Sequence, residues 1–208
     1  MSSYTYEFKD KSGKLEQYEW DNVWWENADK SGVPRVLYIG DSISCATRRI
    51  ATEVSAETIY FDGIGTSKAV DNPYFKDTVR LFAAQEGERE VVLFNNGLHG
   101  WQLDDEGAYR ENYEDLVKFL VEEFKESEVI LVLTTAVADA VRDARTKVRN
   151  RVVSEIAEKY CLEVIDLYSL TDARRDLISS DGVHLLPEGY KILASALVEK
   201  VREVLDKK

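Results

Sequence analysis

From Arg35 to the C-terminus, short apolar runs alternate with longer stretches of helical character. The apolar runs predict strands at 35–39, 57–62, 90–95, 128–134 and 162–166, and the intervening stretches predict helices at about 43–54, 73–86, 108–126, 143–160 and 187–206. The runs 91–94 and 129–133 are apolar throughout, which is typical of strands buried on both faces of a parallel sheet. The pattern therefore predicts an α/β protein, a three-layer α/β/α sandwich around a five-stranded parallel sheet.

The first 32 residues follow a different pattern. Apolar and polar residues partly alternate on either side of 10–14, which predicts a hairpin, and Asp21 is placed to cap a short helix that carries Trp24 and Trp25. We interpret 1–32 as an N-terminal appendage packed on one large domain, 33–208. No internal repeat, low-complexity tract or linker divides that domain.

Composition narrows the class of protein. The chain of 208 residues has a formal net charge of −12, and nucleic acids and anionic membrane surfaces bind clustered Lys and Arg, so neither is an expected partner. No stretch resembles a signal peptide, and no apolar run approaches the roughly 20 residues that span a bilayer, so we expect a cytoplasmic protein. Cys45 and Cys161 lack metal-ligand spacing and are expected to be reduced structural residues. We expect no metal, and the pattern does not indicate an oligomeric state.

The first predicted strand of the domain ends in a chemically distinctive turn, Gly40-Asp41-Ser42. Ser42 stands where the strand passes into a helix, and the backbone N–H groups of a helix N-terminus point toward a residue in that position. A serine there is a candidate nucleophile. Asp and Ser are also preferred helix caps, so these three residues alone leave a purely structural role open.

A serine hydroxyl needs a base to take its proton, and the usual base is a histidine oriented by a carboxylate. The chain has only two histidines. His184 follows Asp181 by three residues, in a glycine-containing turn before the last helix, at the same edge of the sheet as Ser42. The spacing lets the carboxylate fold back onto one imidazole nitrogen while the other faces the serine.

Acyl transfer also needs donors for the oxyanion of the tetrahedral intermediate. The backbone N–H of Ser42 is one candidate. Gly63 and Gly65, after the second predicted strand, compete for a second donor position; we favour Gly65, and we interpret Gly63 as a residue that shapes a turn.

Together these motifs resemble the SGNH hydrolases, also called GDSL-like esterases and lipases. The resemblance runs from about Arg35 to Val201. It implies a flavodoxin-like SGNH fold with Ser42 as nucleophile, His184 as base and Asp181 as its orienting acid, acting without metal or cofactor. The third motif departs from the family pattern, because Gly97-Leu98-His99-Gly100 places a histidine where the family has its oxyanion asparagine. We favour His99 as that donor and keep Asn96, or a purely structural His99, as the alternatives. The Gly-Leu-His block resembles variants within the superfamily, particularly among its carbohydrate esterases.

The implied reaction is hydrolysis of a small-molecule or oligosaccharide ester through an acyl-serine intermediate. A short acyl group, such as acetyl on a carbohydrate, is expected because no long apolar segment indicates a lipid-binding lid. Asp41 and Trp101 are candidate substrate contacts, with Trp101 placed to stack on a sugar ring. At helical spacing after the fourth predicted strand stand Arg142, Arg145 and Arg149. Contact with an anionic substrate is one interpretation, and we favour a solvated helix face paired with nearby acids.

Two alternatives belong to other functional classes. One is a catalytically idle module that keeps the fold and binds a ligand; the complete set of Ser42, Asp181 and His184 argues against it. The other is a flavodoxin-like nucleotide or phosphate binder that uses 40–44 as an anion cradle. No glycine-rich phosphate-binding motif follows the first predicted strand of the domain, which disfavours that reading.

Overall fold

A computed structural model describes residues 14–16, 18–100, 102–103 and 105–207 of the chain. Within this part of the chain, six strands form one sheet in the order β1-β3-β2-β4-β5-β6. The strands are β1 (Asp21–Trp24), β2 (Arg35–Gly40), β3 (Tyr60–Thr66), β4 (Val91–Phe94), β5 (Glu128–Val132) and β6 (Glu163–Ile165). Strands β2 to β6 run parallel, and β1 pairs antiparallel with β3 at the edge.

The helices lie in two layers, one on each face of the sheet. They are α1 (Ser42–Val54), α2 (Phe75–Ala83), α3 (Glu106–Glu123), α4 (Ala140–Tyr160), α5 (Leu167–Asp172) and α6 (Pro187–Leu205), and a 3₁₀ turn spans Arg175–Leu177. One apolar core joins the sheet to α2, α3 and α4, and a second joins it to α1 and α6. Alternate residues of β2 enter opposite cores, Leu37 the first and Tyr38 the second, as a strand covered on both faces requires.

The prediction of five parallel strands is correct for β2 to β6 and wrong for the sheet as a whole, which has a sixth, antiparallel strand. Strand β1 has only four residues, and none of them is buried, so no apolar run marks it. It is a strand because it pairs with β3, and its own pattern of polar and apolar residues does not predict one. The prediction of a short helix at Trp24 is therefore wrong. Trp24 lies on β1, and its indole N–H donates to Glu26. Most of the predicted N-terminal hairpin lies outside the described residues.

Strand β3 extends four residues beyond its predicted end at 62, so Gly63 and Gly65 lie inside the strand. The prediction of a turn at Gly63 is therefore wrong. A Cβ on Gly65 would lie 2.1 Å from Cys45 Sγ, and one on Gly63 would lie 2.7 Å from Arg48 Cδ. Both partners are side chains of α1. The two glycines therefore allow α1 to pack closely on β3, and close packing explains why glycine stands in a strand interior.

The described residues contain no helix long and apolar enough to cross a membrane. In the same part of the chain, no three His, Cys, Asp or Glu side chains are grouped so as to hold a metal ion.

Candidate active site

Ser42 lies at the carboxyl edge of the sheet, where β2 ends and α1 begins. Asp41 caps the helix, and its Oδ1 accepts from Ile43 N–H at 2.9 Å. Ser42 is the first residue of the helix, so its own N–H has no acceptor within the helix. This N–H and the positive end of the helix dipole both favour negative charge beside Ser42.

The second part of the site is the turn between the 3₁₀ helix and α6. Gly182 has φ +80°, a left-handed conformation that suits glycine, and its N–H donates to Ser179 O at 2.9 Å. Its carbonyl accepts from Ala138 N–H at 2.8 Å, which ties the turn to the loop after β5. Ser179 N–H also donates to His184 O at 2.7 Å, which closes the turn that carries Asp181 and His184.

The structure brings Ser42, His184 and Asp181 into one hydrogen-bonded chain. Ser42 Oγ lies 2.8 Å from His184 Nε2, and His184 Nδ1 lies 2.7 Å from Asp181 Oδ2. An ionised carboxylate only accepts hydrogen bonds, so Nδ1 carries a proton and Nε2 is free to accept from the serine hydroxyl. The geometry is that of a nucleophile, a base and a group that orients the base.

Asp181 is held as an anion by the donors around it. Its Oδ1 accepts from the N–H groups of Val183 and His184 at 2.9 Å and from Ser179 Oγ at 2.8 Å. Burial alone would raise the pKa of Asp181, but these bonds and the one from the His184 ring together hold it below its usual range. The carboxylate therefore stays charged and keeps the imidazole oriented at any pH near neutral.

His99 lies on the loop after β4, and Arg149 of α4 stabilises this loop through hydrogen bonds to its backbone carbonyls. The guanidinium is buried and donates to the carbonyls of Gly97 (3.0 Å), His99 (2.6 Å), Gly100 (2.7 Å) and Leu103 (3.2 Å). Arg149 is therefore not part of a solvated helix face, which corrects the sequence-based interpretation for this residue.

The His99 ring contacts the N-terminal segment. Its Nδ1 lies 2.9 Å from Glu16 Oε1, and the Trp20 ring meets it edge-on with centroids 6.2 Å apart. Burial alone would lower the pKa of His99, but the hydrogen bond and charge of Glu16, with smaller contributions from Asp41 and Glu19, raise it above its ordinary value.

The two other oxyanion candidates are placed differently. Ser67 N–H donates to Trp20 O at 3.1 Å, and bonded positions recur every second residue in an antiparallel pair, so the Gly65 N–H points toward Asn22 on β1 and away from β2. Asn96 is buried, and its Nδ2 donates to Lys68 O at 2.7 Å. The Gly65 N–H is therefore engaged within the sheet, and the amide nitrogen of Asn96 is engaged by Lys68.

The candidate substrate contacts receive little structural support. Asp41 is only 1% exposed, and burial raises its pKa against the opposing influence of His99. Its observed role is to cap α1, and direct contact with a substrate stays a prediction. Trp101 lies outside the described residues.

Solved structures share this architecture. The chain is similar to AlAXEase, an acetyl xylan esterase, with a TM-score of 0.64 and 17% identity over 80% of this chain and 99% of that chain. It is also similar to a member of the lipolytic protein G-D-S-L family from Veillonella parvula (0.64, 19%, 80% and 97%) and to Axe2, an acetylxylan esterase from Geobacillus stearothermophilus (0.60, 16%, 81% and 94%). The chain has the SGNH hydrolase fold. By sequence, neither a family model nor a curated protein matches it.

On this SGNH fold, sequence reasoning missed two residues that shape the site, Glu16 and Arg149. Glu16 lies 83 positions from its partner His99, and no local pattern connects them. The sequence contains a weak signal for Arg149. Val152 and Val153 follow it by three and four residues on the predicted helix, and residues at that spacing share one face of a helix. A helical projection would have placed it near the buried side.

Proposed function

We propose that this protein is a serine esterase that cleaves carboxylic esters through an acyl-serine intermediate. The observation that carries the proposal is the hydrogen-bonded chain from Ser42 through His184 to Asp181 at the N-terminus of α1. An idle binding module would have no need for the imidazole to be held by a carboxylate on one side and a serine hydroxyl on the other.

The reaction follows from the positions of the protons. Ser42 Oγ attacks the ester carbonyl carbon while its proton passes to His184 Nε2, and the carbonyl π electrons move onto the oxygen. The intermediate collapses, the C–O bond to the alcohol breaks, and the alkoxide takes the proton from His184. Water then attacks the acyl-serine in the same way, which releases the carboxylic acid and restores the Ser42 hydroxyl.

The oxyanion needs donors that are already in place. The Ser42 N–H and the field of α1 supply part of this stabilisation. We assign His99 as the side-chain donor, because it lies on the loop after β4, which is next to β2 in the sheet, while the amide of Asn96 is bonded to Lys68. Because the Gly65 N–H points toward β1, we give Gly65 a packing role in place of the donor role.

We assign the substrate to short-chain acyl esters, with acetyl groups on carbohydrates as the preferred class. Two acetyl xylan esterases with the same fold support this choice. A second support is the openness of the triad, since the side chains of His184 and Asp181 are 39% and 52% exposed. An open triad suits a small acyl group carried on a bulky, hydrophilic alcohol better than a buried acyl chain.

The proposal is tested by initial rates on p-nitrophenyl acetate, butyrate and octanoate for the wild type and for Ser42→Ala. We expect turnover that falls with chain length and drops by several orders of magnitude in the variant, as loss of a triad member does in other serine hydrolases. Ser195→Ala, which removes an exposed serine of α6, is the matched control and should retain full activity.

Covalent labelling distinguishes an active enzyme that accepts none of the three test esters from a catalytically idle site. A serine-directed fluorophosphonate should label the wild type and Ser195→Ala but not Ser42→Ala, with the adduct mapped to Ser42 by peptide mass. An unlabelled wild type that also fails to hydrolyse all three esters would refute the esterase proposal and favour the binding module.

A further inference from the structure

We propose that Glu16 is a positioning residue that keeps the His99 ring doubly protonated, so that its Nε2–H donates to the oxyanion. This inference rests on the proposed esterase function, and it gives the N-terminal segment a part in the chemistry of the site. Glu16 would not contact the substrate. It would act only through the protonation and orientation of His99.

The contact between Glu16 and His99 is shielded from water. The Glu16 side chain is 6% exposed, the His99 side chain is 15% exposed, and the two are joined at 2.9 Å. The Gly100 N–H also donates to Glu16 Oε1, at 3.3 Å. Together with the edge-on contact from Trp20, these bonds hold one carboxylate oxygen and the imidazole in a single arrangement.

The protonation argument follows from the two nitrogens of imidazole. A carboxylate only accepts, so the Nδ1 that faces Glu16 carries a proton. A neutral ring has one proton, and in this arrangement it would sit on Nδ1, which leaves Nε2 without a hydrogen. Only the charged ring has a proton on both nitrogens. His99 can therefore serve as an oxyanion donor through Nε2 when it is charged, and the charge strengthens that bond.

Charged groups from three elements face His99. Glu16 and Glu19 of the N-terminal segment and Asp41 at the cap of α1 favour the charged ring. The cation on the backbone side is Arg149 of α4, whose guanidinium donates to the carbonyl of His99. Burial lowers the pKa of His99, and the carboxylates outweigh that effect. Glu16, which is hydrogen-bonded to the ring, contributes most to raising the pKa.

The arrangement has a kinetic consequence with a definite sign. His184 acts as a base only when neutral, so kcat rises with pH on the acidic limb of the profile. His99 donates only when charged, so kcat falls on the alkaline limb as the ring loses its proton. Removing the Glu16 charge makes the charged ring less stable and moves the alkaline limb to lower pH.

Glu16→Gln is the decisive variant. Two N–H donors, from Gly100 and the His99 ring, point at the same oxygen of Glu16. The amide oxygen of glutamine should therefore occupy this position, which keeps the ring orientation and removes only the charge. Glu16→Asp retains a carboxylate and should restore part of the wild-type behaviour. Glu53→Gln removes an exposed charge from α1 and is the matched control.

The first readout is nuclear magnetic resonance of the histidine rings as a function of pH, which needs no catalytic activity. The chain has only two histidines, and His99→Asn assigns their signals. In the wild type at pH 7 we expect His99 with protons on both nitrogens. In Glu16→Gln the ring should lose its charge at lower pH, while Glu53→Gln should match the wild type. A neutral wild-type ring at pH 7, or a titration unchanged in Glu16→Gln, would overturn the inference.

The second readout is the pH profile of kcat on p-nitrophenyl acetate. At pH 8, kcat of Glu16→Gln should fall toward the roughly 10²–10³-fold loss that removal of one oxyanion donor causes, with KM unchanged. In the His99→Asn background, Glu16→Gln should leave the profile in place. An alkaline limb that stays in place in an otherwise active Glu16→Gln enzyme contradicts the role of Glu16 and leaves the esterase proposal standing.

Discussion

Replacement of Arg149 by lysine should loosen the loop that carries His99. The guanidinium donates to four carbonyl oxygens between Gly97 and Leu103 and lies 4.6 Å from the centroid of the Tyr109 ring. A lysine ammonium lacks the planar fork that reaches separate carbonyls. We therefore expect about two of these hydrogen bonds to be lost.

The magnitude follows from the charge of the donor. Hydrogen bonds to a charged group contribute about 1.5–3 kcal/mol each, so two lost bonds set an upper bound of about 3–6 kcal/mol on the decrease in the free energy of unfolding. Carbonyls of a loop can regain water when the loop shifts, which reduces the expected loss to about 2–4 kcal/mol. For a domain of this size that corresponds to a decrease in Tm of roughly 4–16 °C.

Activity should fall as well, because His99 depends on this loop for its position. A displacement of about 1 Å in a catalytic group costs on the order of 10²-fold in rate, and we expect that loss in kcat for Arg149→Lys. Urea denaturation and initial rates on p-nitrophenyl acetate measure the two effects. The control is Arg151→Lys on the same helix, whose exposed pair with Glu106 should contribute under about 1 kcal/mol. Equal stability and equal kcat for the two variants would refute the role given to Arg149.

Two further substitutions test the triad and the packing beneath it. Asp181→Asn should lower kcat by about 10⁴-fold with little change in fold, because an amide can donate to His184 Nδ1 and so favour the wrong tautomer. Circular dichroism checks the fold and initial rates check kcat; a near-normal kcat would remove Asp181 from the mechanism. Gly65→Ala should destabilise the protein by about 1–3 kcal/mol through the clash with Cys45 Sγ, and Cys45→Ala should recover part of that loss in a double-mutant cycle of urea unfolding. Strictly additive effects would show that Gly65 and Cys45 are not coupled.

Local patterns account for the features that the sequence predicted well. Strands β2, β4 and β5 are apolar runs long enough to be recognised, and the helix before the C-terminus begins with a proline at a favourable position. The motif of Asp181 and His184 is equally local, because three residues and one glycine are enough to fold the carboxylate back onto the ring. Its contact with Ser42 then follows from the rule that parallel strands gather their loops at one edge.

The features that escaped prediction depend on contacts between distant parts of the chain. Strand β1 is polar and short, and it is a strand only because it pairs with β3, which lies far along the chain. The end of β3 was misplaced for a related reason. Glycines usually indicate a turn, whereas Gly65 makes room for a side chain of α1, and nothing local in the sequence distinguishes the two uses.

The same pairing explains how the N-terminal segment reaches the site. Strand β1 lies on the outer edge of β3, and the backbone just before it is fixed by the bonds between Trp20 and Ser67. This brings Trp20 and Glu16 over the loop of His99, at the edge of the sheet where the triad lies. The third motif has a histidine in place of the family's asparagine, and with Nδ1 facing Glu16 this ring donates through Nε2 only when it is charged, a state that a nearby carboxylate favours. The antiparallel strand that the sequence did not reveal delivers that carboxylate.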